Sequence, residues 1–389
     1  MNKKLMAVAI VAALSPLAAL ADPSGVTLYG TMNVSAERVT GTGSGDGRVT
    51  RLTDSSSRIG IRGAESLGAG LEGFFQVETL VAPEGNNGNG GAALGWASRN
   101  SGVGLRGAFG EILGGRWDTY YLDGTGADGS LFGRGPLSAF GDTILGATGF
   151  EGNAAAAGGV LATGPGGAAA LAGLGARYIG GRYPNVIRYA TPNLAGFTAI
   201  ATVGASENTT SPNPGKRTAL NLRYVNGPIF GSASYLREGR DAGSTDYNKG
   251  MKLAAAFTMP SATKIGVEYE QLKWPTNSTE LKRKNYLVSV SQNLGAVDLN
   301  LAYGKAKAAE IGGATLANTG AKFLNLTGAY SFSKRTLAYL SYQKIDNEAR
   351  AAYDFFSLGG SRFNGPAAGT PNALGADPKT IHLGINHAF

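Results

Sequence analysis

The chain has 389 residues with no cysteine and only two histidines, which excludes disulfide bonds, thiolate metal sites and cysteine nucleophiles. Its 35 lysines and arginines exceed its 27 aspartates and glutamates, and 61 residues are glycine. Because two histidines and no cysteine are too few for the usual metal clusters, the composition predicts no metal site. The glycine runs at residues 41–47 and 85–91 contain no phosphate-binding motif, and no cofactor is predicted.

The first residues have the pattern of a secretory signal peptide. Lys3 and Lys4 precede an apolar run over residues 5–14, and Ala19-Leu20-Ala21 follows. A charged start, a short apolar core and an A-x-A ending predict cleavage after Ala21 and export of a single mature domain, residues 22–389. No other stretch approaches the roughly 18 consecutive apolar residues that a transmembrane helix needs.

The mature sequence alternates apolar and polar residues in short segments, which is typical of half-buried β-strands. Such segments are predicted at residues 26–36, 58–63, 71–81, 220–225, 251–257, 265–272, 286–292, 297–303 and 336–345. In the last segment, 379–389, Ile381, Leu383 and Ile385 share one face and Thr380 and His382 share the other. Its length suits a tilted strand crossing a bilayer, which needs roughly 9–11 residues.

Short turns between these segments alternate with long polar loops, which are predicted near residues 37–57, 206–216, 238–248, 273–282, 305–320 and 346–378. We count about 16 strands, and an even number is expected of a bacterial outer-membrane barrel. The sequence therefore predicts an all-β, 16-stranded antiparallel transmembrane barrel with short periplasmic turns, long external loops and an aqueous lumen. A soluble propeller or β-helix is the alternative, but neither repeat is present in the sequence.

Residues 118–181 interrupt this rhythm, and residues 152–175 are rich in glycine and alanine. A structureless segment of this length is expected only where it is functional or disordered. In a wide barrel it can fold inward as a constriction loop, which is our prediction; an external loop is the alternative. Residues 168–174 suggest a short helix, against which their glycines weigh.

Strand parity also assigns side chains to the two faces. Arg62, Arg106, Arg188 and Arg223 have neighbours with lipid-facing parity, so they are predicted to point into the lumen. Aromatic residues cluster near the predicted strand ends, as in an interfacial girdle, and they include Tyr29, Trp117, Trp274, Tyr303 and Phe389.

The chain resembles the general porins of β-proteobacteria. The resemblance spans the mature sequence and is carried by VTLYG at 26–30, SRIGIRGAE at 57–65, GR at 115–116, IRYATPNLAGF at 187–197 and GINHAF at 384–389. It implies a homotrimeric passive diffusion pore in the bacterial outer membrane, surrounded by lipid and lipopolysaccharide, with the third long loop folded inside. The glycine- and alanine-rich part of that loop departs from the family.

The resemblance also implies functional residues. Arg58, Arg99 and Arg182 match arginines on the constriction wall of anion-selective members of the family. Arg99 shares the outward parity of Val103, so its inward placement requires a bulge or a loop-end position. The predicted anion pathway also includes Arg62, Arg106, Arg188 and Glu78, a carboxylate that can pair with a lumen arginine. Phe389 resembles the signal read by the machinery that assembles outer-membrane barrels.

These observations predict a passive channel for small hydrophilic solutes and inorganic and organic ions, selective for anions because clustered arginines raise the local anion concentration. A channel with a saturable site for phosphate or organic acids is the alternative. An enzyme is disfavoured because the two histidines, His382 and His387, lie outside any catalytic motif. Adhesion through the external loops stays open, and no nucleic-acid partner is predicted.

Overall fold

The computed structural model describes residues 25–41, 48–54, 57–81, 83, 95–119, 121, 145, 160, 179–205, 216–239, 246–276, 279–355 and 373–389. Within these residues the regular elements are nineteen β-strands joined in a single sheet. Their bounds are β1 Val26–Thr40, β2 Arg48–Asp54, β3 Arg58–Gly68, β4 Leu71–Leu80, β5 Ser101–Gly107, β6 Gly110–Asp118, β7 Arg182–Ala190, β8 Phe197–Gly204, β9 Arg217–Asn226, β10 Ile229–Glu238, β11 Asn248–Thr258, β12 Thr263–Pro275, β13 Glu280–Leu294, β14 Val297–Ala306, β15 Glu310–Ile311, β16 Ala314–Thr315, β17 Ala321–Ser331, β18 Thr336–Asn347 and β19 Lys379–Ala388.

The sheet closes on itself, because the last strand, β19, pairs antiparallel with the first, β1. Ten residue pairs, from Thr31↔Ala388 to Thr40↔Lys379, form this seam. Strands β2 and β3 both pair with β1 and together make one strand of the wall, while β15 and β16 form a small hairpin beside β13. The described wall therefore has sixteen antiparallel strands, which confirms the predicted barrel.

The two ends of the barrel differ. At the turn end, two residues join β3 to β4, and two join β5 to β6. At the loop end the longest connection, residues 119–181, joins β6 to β7. In outer-membrane barrels the short turns face the periplasm and the long loops face the outside.

Strand β14 shows why the sheet is stable in a membrane. Its outward residues Leu299, Leu301 and Tyr303 are 44–46% exposed, while Asn300 and Ala302 on the inner face are buried. The same alternation holds in β19, where Ile381, Leu383 and Ile385 point outward as the sequence predicts. An apolar outer surface suits lipid, and a polar inner surface lines the lumen.

Several strands extend further toward the loop end than the sequence pattern predicts. Strand β1 continues to Thr40, and β2 lies within residues 37–57, which the pattern assigns to a loop. Strand β13 begins at Glu280, and the β15–β16 hairpin lies within the predicted loop 305–320. Most outward residues there are polar or charged, such as Arg38, Lys282 and Lys284, although Leu52 of β2 is 62% exposed. The apolar period therefore ends while backbone pairing continues.

Three aromatic residues predicted for the interfacial girdle, Tyr29, Trp117 and Trp274, are not on the outer surface. Trp117 and Trp274 are buried, and the Tyr29 hydroxyl contacts Glu78 on the lumen side. All three residues occupy strand positions whose side chains point to the inner face. Alternation along the strand therefore determines which face they take, even near a strand end. Tyr303 and Phe389 are exposed on the outside, as predicted.

No helix within the described ranges is long and apolar enough to cross a bilayer. The predicted signal peptide, residues 1–21, and the helix suggested at residues 168–174 lie outside the described residues. Of residues 152–175, only Val160 is described.

Candidate functional site

Glu78 is the centre of a charged group on the inner wall of β3 and β4. Its Oε2 atom lies 3.7 Å from Arg58 Nε and accepts a 3.1 Å hydrogen bond from the Tyr29 hydroxyl. Its Oε1 atom accepts a 2.5 Å hydrogen bond from Arg99 Nε. Two of the predicted arginines therefore converge on one carboxylate.

Gly60 makes this arrangement possible, because it lies between Tyr29 on β1 and Glu78 on β4 in the same cross-strand row. A Cβ atom at Gly60 would lie 2.4 Å from the Tyr29 ring. Glycine thus lets the ring lie flat along the wall and reach Glu78. The Arg62 guanidinium stacks 4.9 Å from the centre of the same ring, which places Arg62 beside the group as well.

Arg99 reaches the lumen from a loop-end position, two residues before β5 begins. Its backbone N–H donates to Glu78 O over 3.0 Å, and Ala97 just before it has a positive φ of 60°. This local turn brings the side chain inward although its parity matches the outward residue Val103. Burial, together with the neighbouring Arg182 guanidinium, lowers the pKa of Arg99, while Glu78 acts in the opposite direction.

Arg182 joins the group from the first position of β7. Its Nη2 atom lies 3.3 Å from Asp118 Oδ2, and its Nε donates to Asn100 Oδ1 over 2.9 Å. Arg116, on β6, donates from Nε to Ser98 O over 2.9 Å and lies within electrostatic reach of Arg182. We call Arg58, Arg99, Arg116 and Arg182 the arginine cluster.

Sequence reasoning did not select Arg116, Asn100 or Asp118 as site residues. Asp118 and Arg182 are the last and first residues of the strands that border segment 119–181, and they are paired across β6 and β7. Residues of opposite charge that border a long insertion are a signal that could have identified this pair.

Arg106 and Arg188 lie elsewhere, at the turn end of the inner wall. Arg106 forms an ion pair with Glu72, and Arg188 Nη1 lies 2.5 Å from Glu111 Oε1. The four side chains border a cavity of about 450 Å³. The predicted arginines thus form two groups at different positions along the barrel axis. The arginine cluster lies near the loop end, and Arg106 and Arg188 lie near the turn end. Arg223, also predicted to point inward, stacks 5.5 Å from the Phe230 ring centre.

A second charged group lies on β12, eight wall strands away from β4 and so on the opposite side of the barrel. Glu270 accepts hydrogen bonds from Tyr121 Oη at 2.9 Å and from Asn285 Nδ2 at 2.8 Å. Lys252 Nζ lies 3.9 Å from Glu268 Oε2 and 5.2 Å from the Tyr121 ring centre. Tyr121 follows β6, so its contact with β12 spans the lumen.

Phe389 completes the seam between β1 and β19. Its N–H donates to Gly30 O, and Gly30 N–H donates to Phe389 O, both over 3.1 Å. Its ring remains partly exposed on the outer surface. The terminal residue therefore continues the pairing of β19 with β1.

Comparison with known proteins agrees with this architecture. Residues 7–350 match the family model for Gram-negative porins. The chain belongs to the Gram-negative porin family. It is 29% identical to outer membrane porin protein 32 of Delftia acidovorans, and the match covers the whole of both chains. The present chain is therefore an outer-membrane diffusion channel, because its family and its fold are those of channels.

Two solved structures share the fold. The anion-selective porin from Comamonas acidovorans superimposes with a TM-score of 0.69 at 24% identity, over 94% of this chain and 100% of that one. The trimer form of OmpT, an outer-membrane protein of Vibrio cholerae, superimposes with a TM-score of 0.61 at 16% identity, over 95% of this chain and 100% of that one. The resemblance to porins predicted from the sequence is confirmed.

Proposed function

We propose that this porin passes small hydrophilic solutes passively and prefers anions, and that the arginine cluster produces the preference. The observation that carries the proposal is the convergence of four guanidinium groups on a wall where their described ion-pair partners are two carboxylates, Glu78 and Asp118. The excess of positive charge raises the local anion concentration. Guanidinium groups stay charged at any relevant pH.

The proposal includes an inward third loop, which would bring permeating ions close to the cluster. Tyr121 contacts Glu270 across the lumen, and Leu145 packs in a buried group with Phe323 and Tyr353. Val160 O accepts a 3.0 Å hydrogen bond from Arg350 Nη2. These contacts, at three separate points of segment 118–181, support a loop that crosses the lumen.

A saturable site for phosphate or an organic acid is the second candidate, and the described contacts favour the general pore. Arg99 is engaged by Glu78, and Arg182 by Asp118 and Asn100. A tight anion site needs several donors free to converge on one ligand. Cationic side chains already held by the wall attract passing anions weakly, which permits both entry and exit.

Catalysis is not part of the proposed function. The arrangement nearest to a catalytic triad has His382 Nδ1 3.5 Å from Ser35 Oγ and His382 Nε2 3.6 Å from Glu37 Oε1. Ser35 is 1% exposed, so a substrate carbonyl has no access to its hydroxyl. We assign these residues to the packing of the β1–β19 seam.

We further propose that the chain forms a homotrimer, as the trimer form of a structurally similar barrel suggests. The outer surface of this trimer would contact outer-membrane lipid and lipopolysaccharide.

The selectivity proposal is tested by the zero-current potential of wild-type channels under a potassium chloride gradient. We expect a potential set by chloride that decreases as salt concentration rises, because screening shortens the reach of the arginines. A potential set by potassium contradicts it. Closures that depend on phosphate concentration, and that saturate, favour the second candidate.

A further inference from the structure

The outer surface at the loop end carries a band of lysines. Among the described strand residues, eight lysines point outward, and every one lies at the loop end. They are Lys249, Lys273, Lys282, Lys284, Lys305, Lys322, Lys344 and Lys379. We call these residues the lysine belt. Lys252 and Lys264, the other two lysines of the described strands, point inward.

Members of the belt face each other directly across neighbouring strands. Lys273 on β12 is opposite Lys249 on β11 and also opposite Lys282 on β13. Lys305 is opposite Lys322, and Lys344 is opposite Lys379, in the registers of β14–β17 and β18–β19. Like charges in directly opposite positions destabilise a sheet, so an anion beside these lysines would stabilise the arrangement.

Carboxylates of the barrel satisfy only part of the belt. Lys249, Lys282, Lys284 and Lys344 form ion pairs, with Asp246, Glu280, Glu310 and Asp346 respectively. Within the described residues, Lys273, Lys305, Lys322 and Lys379 have no carboxylate oxygen within 4.0 Å. Two of these four, Lys305 and Lys322, are opposite each other, and the Lys305 side chain is exposed.

Aromatic residues fix the height of the belt relative to the membrane. Tyr286, Tyr303 and Tyr342 point outward two residues nearer the middle of the barrel than Lys284, Lys305 and Lys344. Outward aromatic rings mark the edge of the hydrocarbon layer, and two residues along a strand span roughly 6.5 Å. The ammonium groups therefore lie at the level of the lipid headgroups, on the side of the long external loops.

We propose that the lysine belt binds the phosphate groups of phosphorylated glycolipids in the outer leaflet. A lysine ammonium is a compact charge that binds phosphate, and its alkyl stem can lie along apolar surface while the charge reaches the headgroup. Opposite lysines have Cβ atoms about 5 Å apart, which lets one phosphate contact both. The proposal gives residues to the lipid partner proposed above and does not depend on ion selectivity.

The test compares lipid binding by wild-type protein and the triple variant K273Q/K305Q/K322Q. Each is reconstituted in nanodiscs of phosphatidylethanolamine with diphosphoryl lipid A, and the retained lipid A is counted by native mass spectrometry. We expect the variant to bind lipid A roughly 10- to 100-fold more weakly, because each lysine near a headgroup contributes separately. The charge-preserving variant K273R/K305R/K322R should retain most binding. The control K264Q/K334Q/R335Q removes three cations at the turn end and should match the wild type.

Equal retention of diphosphoryl lipid A by the wild type and K273Q/K305Q/K322Q overturns the proposal. The proposal is also overturned if the wild type binds dephosphorylated lipid A as tightly as diphosphoryl lipid A. Dissociation of oligomers with unchanged lipid binding would assign the belt to subunit contact instead. If the triple variant does not fold, the wild type still provides a test. Its binding of diphosphoryl lipid A must weaken as salt rises, and binding that ignores salt excludes the proposed contact.

Discussion

Tyr121, just beyond β6, donates a 2.9 Å hydrogen bond to Glu270 on β12, on the far side of the barrel. Both residues are buried. Gly250 on β11 makes room for the ring, since a Cβ atom there would lie 2.6 Å from the Tyr121 hydroxyl oxygen. The start of the third loop is therefore fixed to the opposite wall.

Replacing Tyr121 with phenylalanine should loosen this anchor. The substitution removes the hydroxyl group that donates to Oε1 of the buried Glu270 carboxylate. This loss lowers the free energy of unfolding by about 1–3 kcal/mol. We expect a lower thermal unfolding temperature and larger fluctuations of the open-channel current. Tyr269→Phe is the matched control, because Tyr269 lies on β12 beside Glu270 and its hydroxyl donates to Gln271 on the outer surface of the barrel. Equal behaviour of the two variants would refute the anchor.

Replacing Glu78 with glutamine should increase the preference for anions while lowering stability. The substitution removes the charge of one of the two carboxylates that lie beside the arginine cluster. It also leaves the buried Arg99 without its ionic partner, which lowers the free energy of unfolding by about 1–3 kcal/mol. Zero-current potentials and thermal unfolding measure both effects. Glu65→Gln, at an exposed position near the turn end, should change neither. An anion preference reduced by Glu78→Gln would contradict the predicted role of the cluster.

Deleting Phe389 should lower the amount of folded protein in the outer membrane. The deletion removes the two backbone hydrogen bonds to Gly30 that extend the seam, and it removes the residue predicted to be the assembly signal. Heat-modifiable migration in gels measures the folded fraction. Phe332→Ala, which removes another exposed aromatic ring at the turn end, should leave that fraction unchanged. Normal folded levels after deletion would show that Phe389 is dispensable for assembly.

The protein should be a trimer in mild detergent. The expectation comes from the porin family and the trimer form of a structural relative. An unheated sample should migrate as a trimer in gels and convert to monomer on heating. A monomeric mass by light scattering, at concentrations where the barrel is folded, would contradict this prediction.

Sequence parity predicted the face of most side chains but not the ends of the strands. Membrane lipid imposes an apolar period only where it touches the barrel. Beyond that level the outward residues become Arg38, Lys282 and Lys284, and pairing of β1 and β13 continues without an apolar signal. The predicted strands therefore stop at the membrane edge, short of their observed ends.

The candidate site was predictable in part for the same reason. Parity placed Arg62, Arg106 and Arg188 on the inner face, yet it carries no information about their height or their carboxylate partners. Arg99 reaches the lumen through a local turn after Ala97 that no periodic pattern encodes. The Tyr121 contact is non-local, since it joins residues that are 149 positions apart in sequence.

The zero-current potential of a charge-neutralised variant tests the central claim most directly. Arg58→Gln, Arg99→Gln and Arg182→Gln together leave Arg116 beside Glu78 and Asp118, so the local charge changes from positive to negative. Charges within a Debye length of roughly 8–10 Å govern ion selection at physiological salt. The matched control is K273Q/K305Q/K322Q, which removes three charges on the outside of the barrel.

Under a potassium chloride gradient, wild type and the lysine control should both show a potential set by chloride. The arginine variant, once shown to be folded by heat-modifiable migration, should show a potential of opposite sign. Wild-type chloride preference retained by the folded arginine variant, or lost in the lysine control, would contradict the assignment of selectivity to Arg58, Arg99 and Arg182.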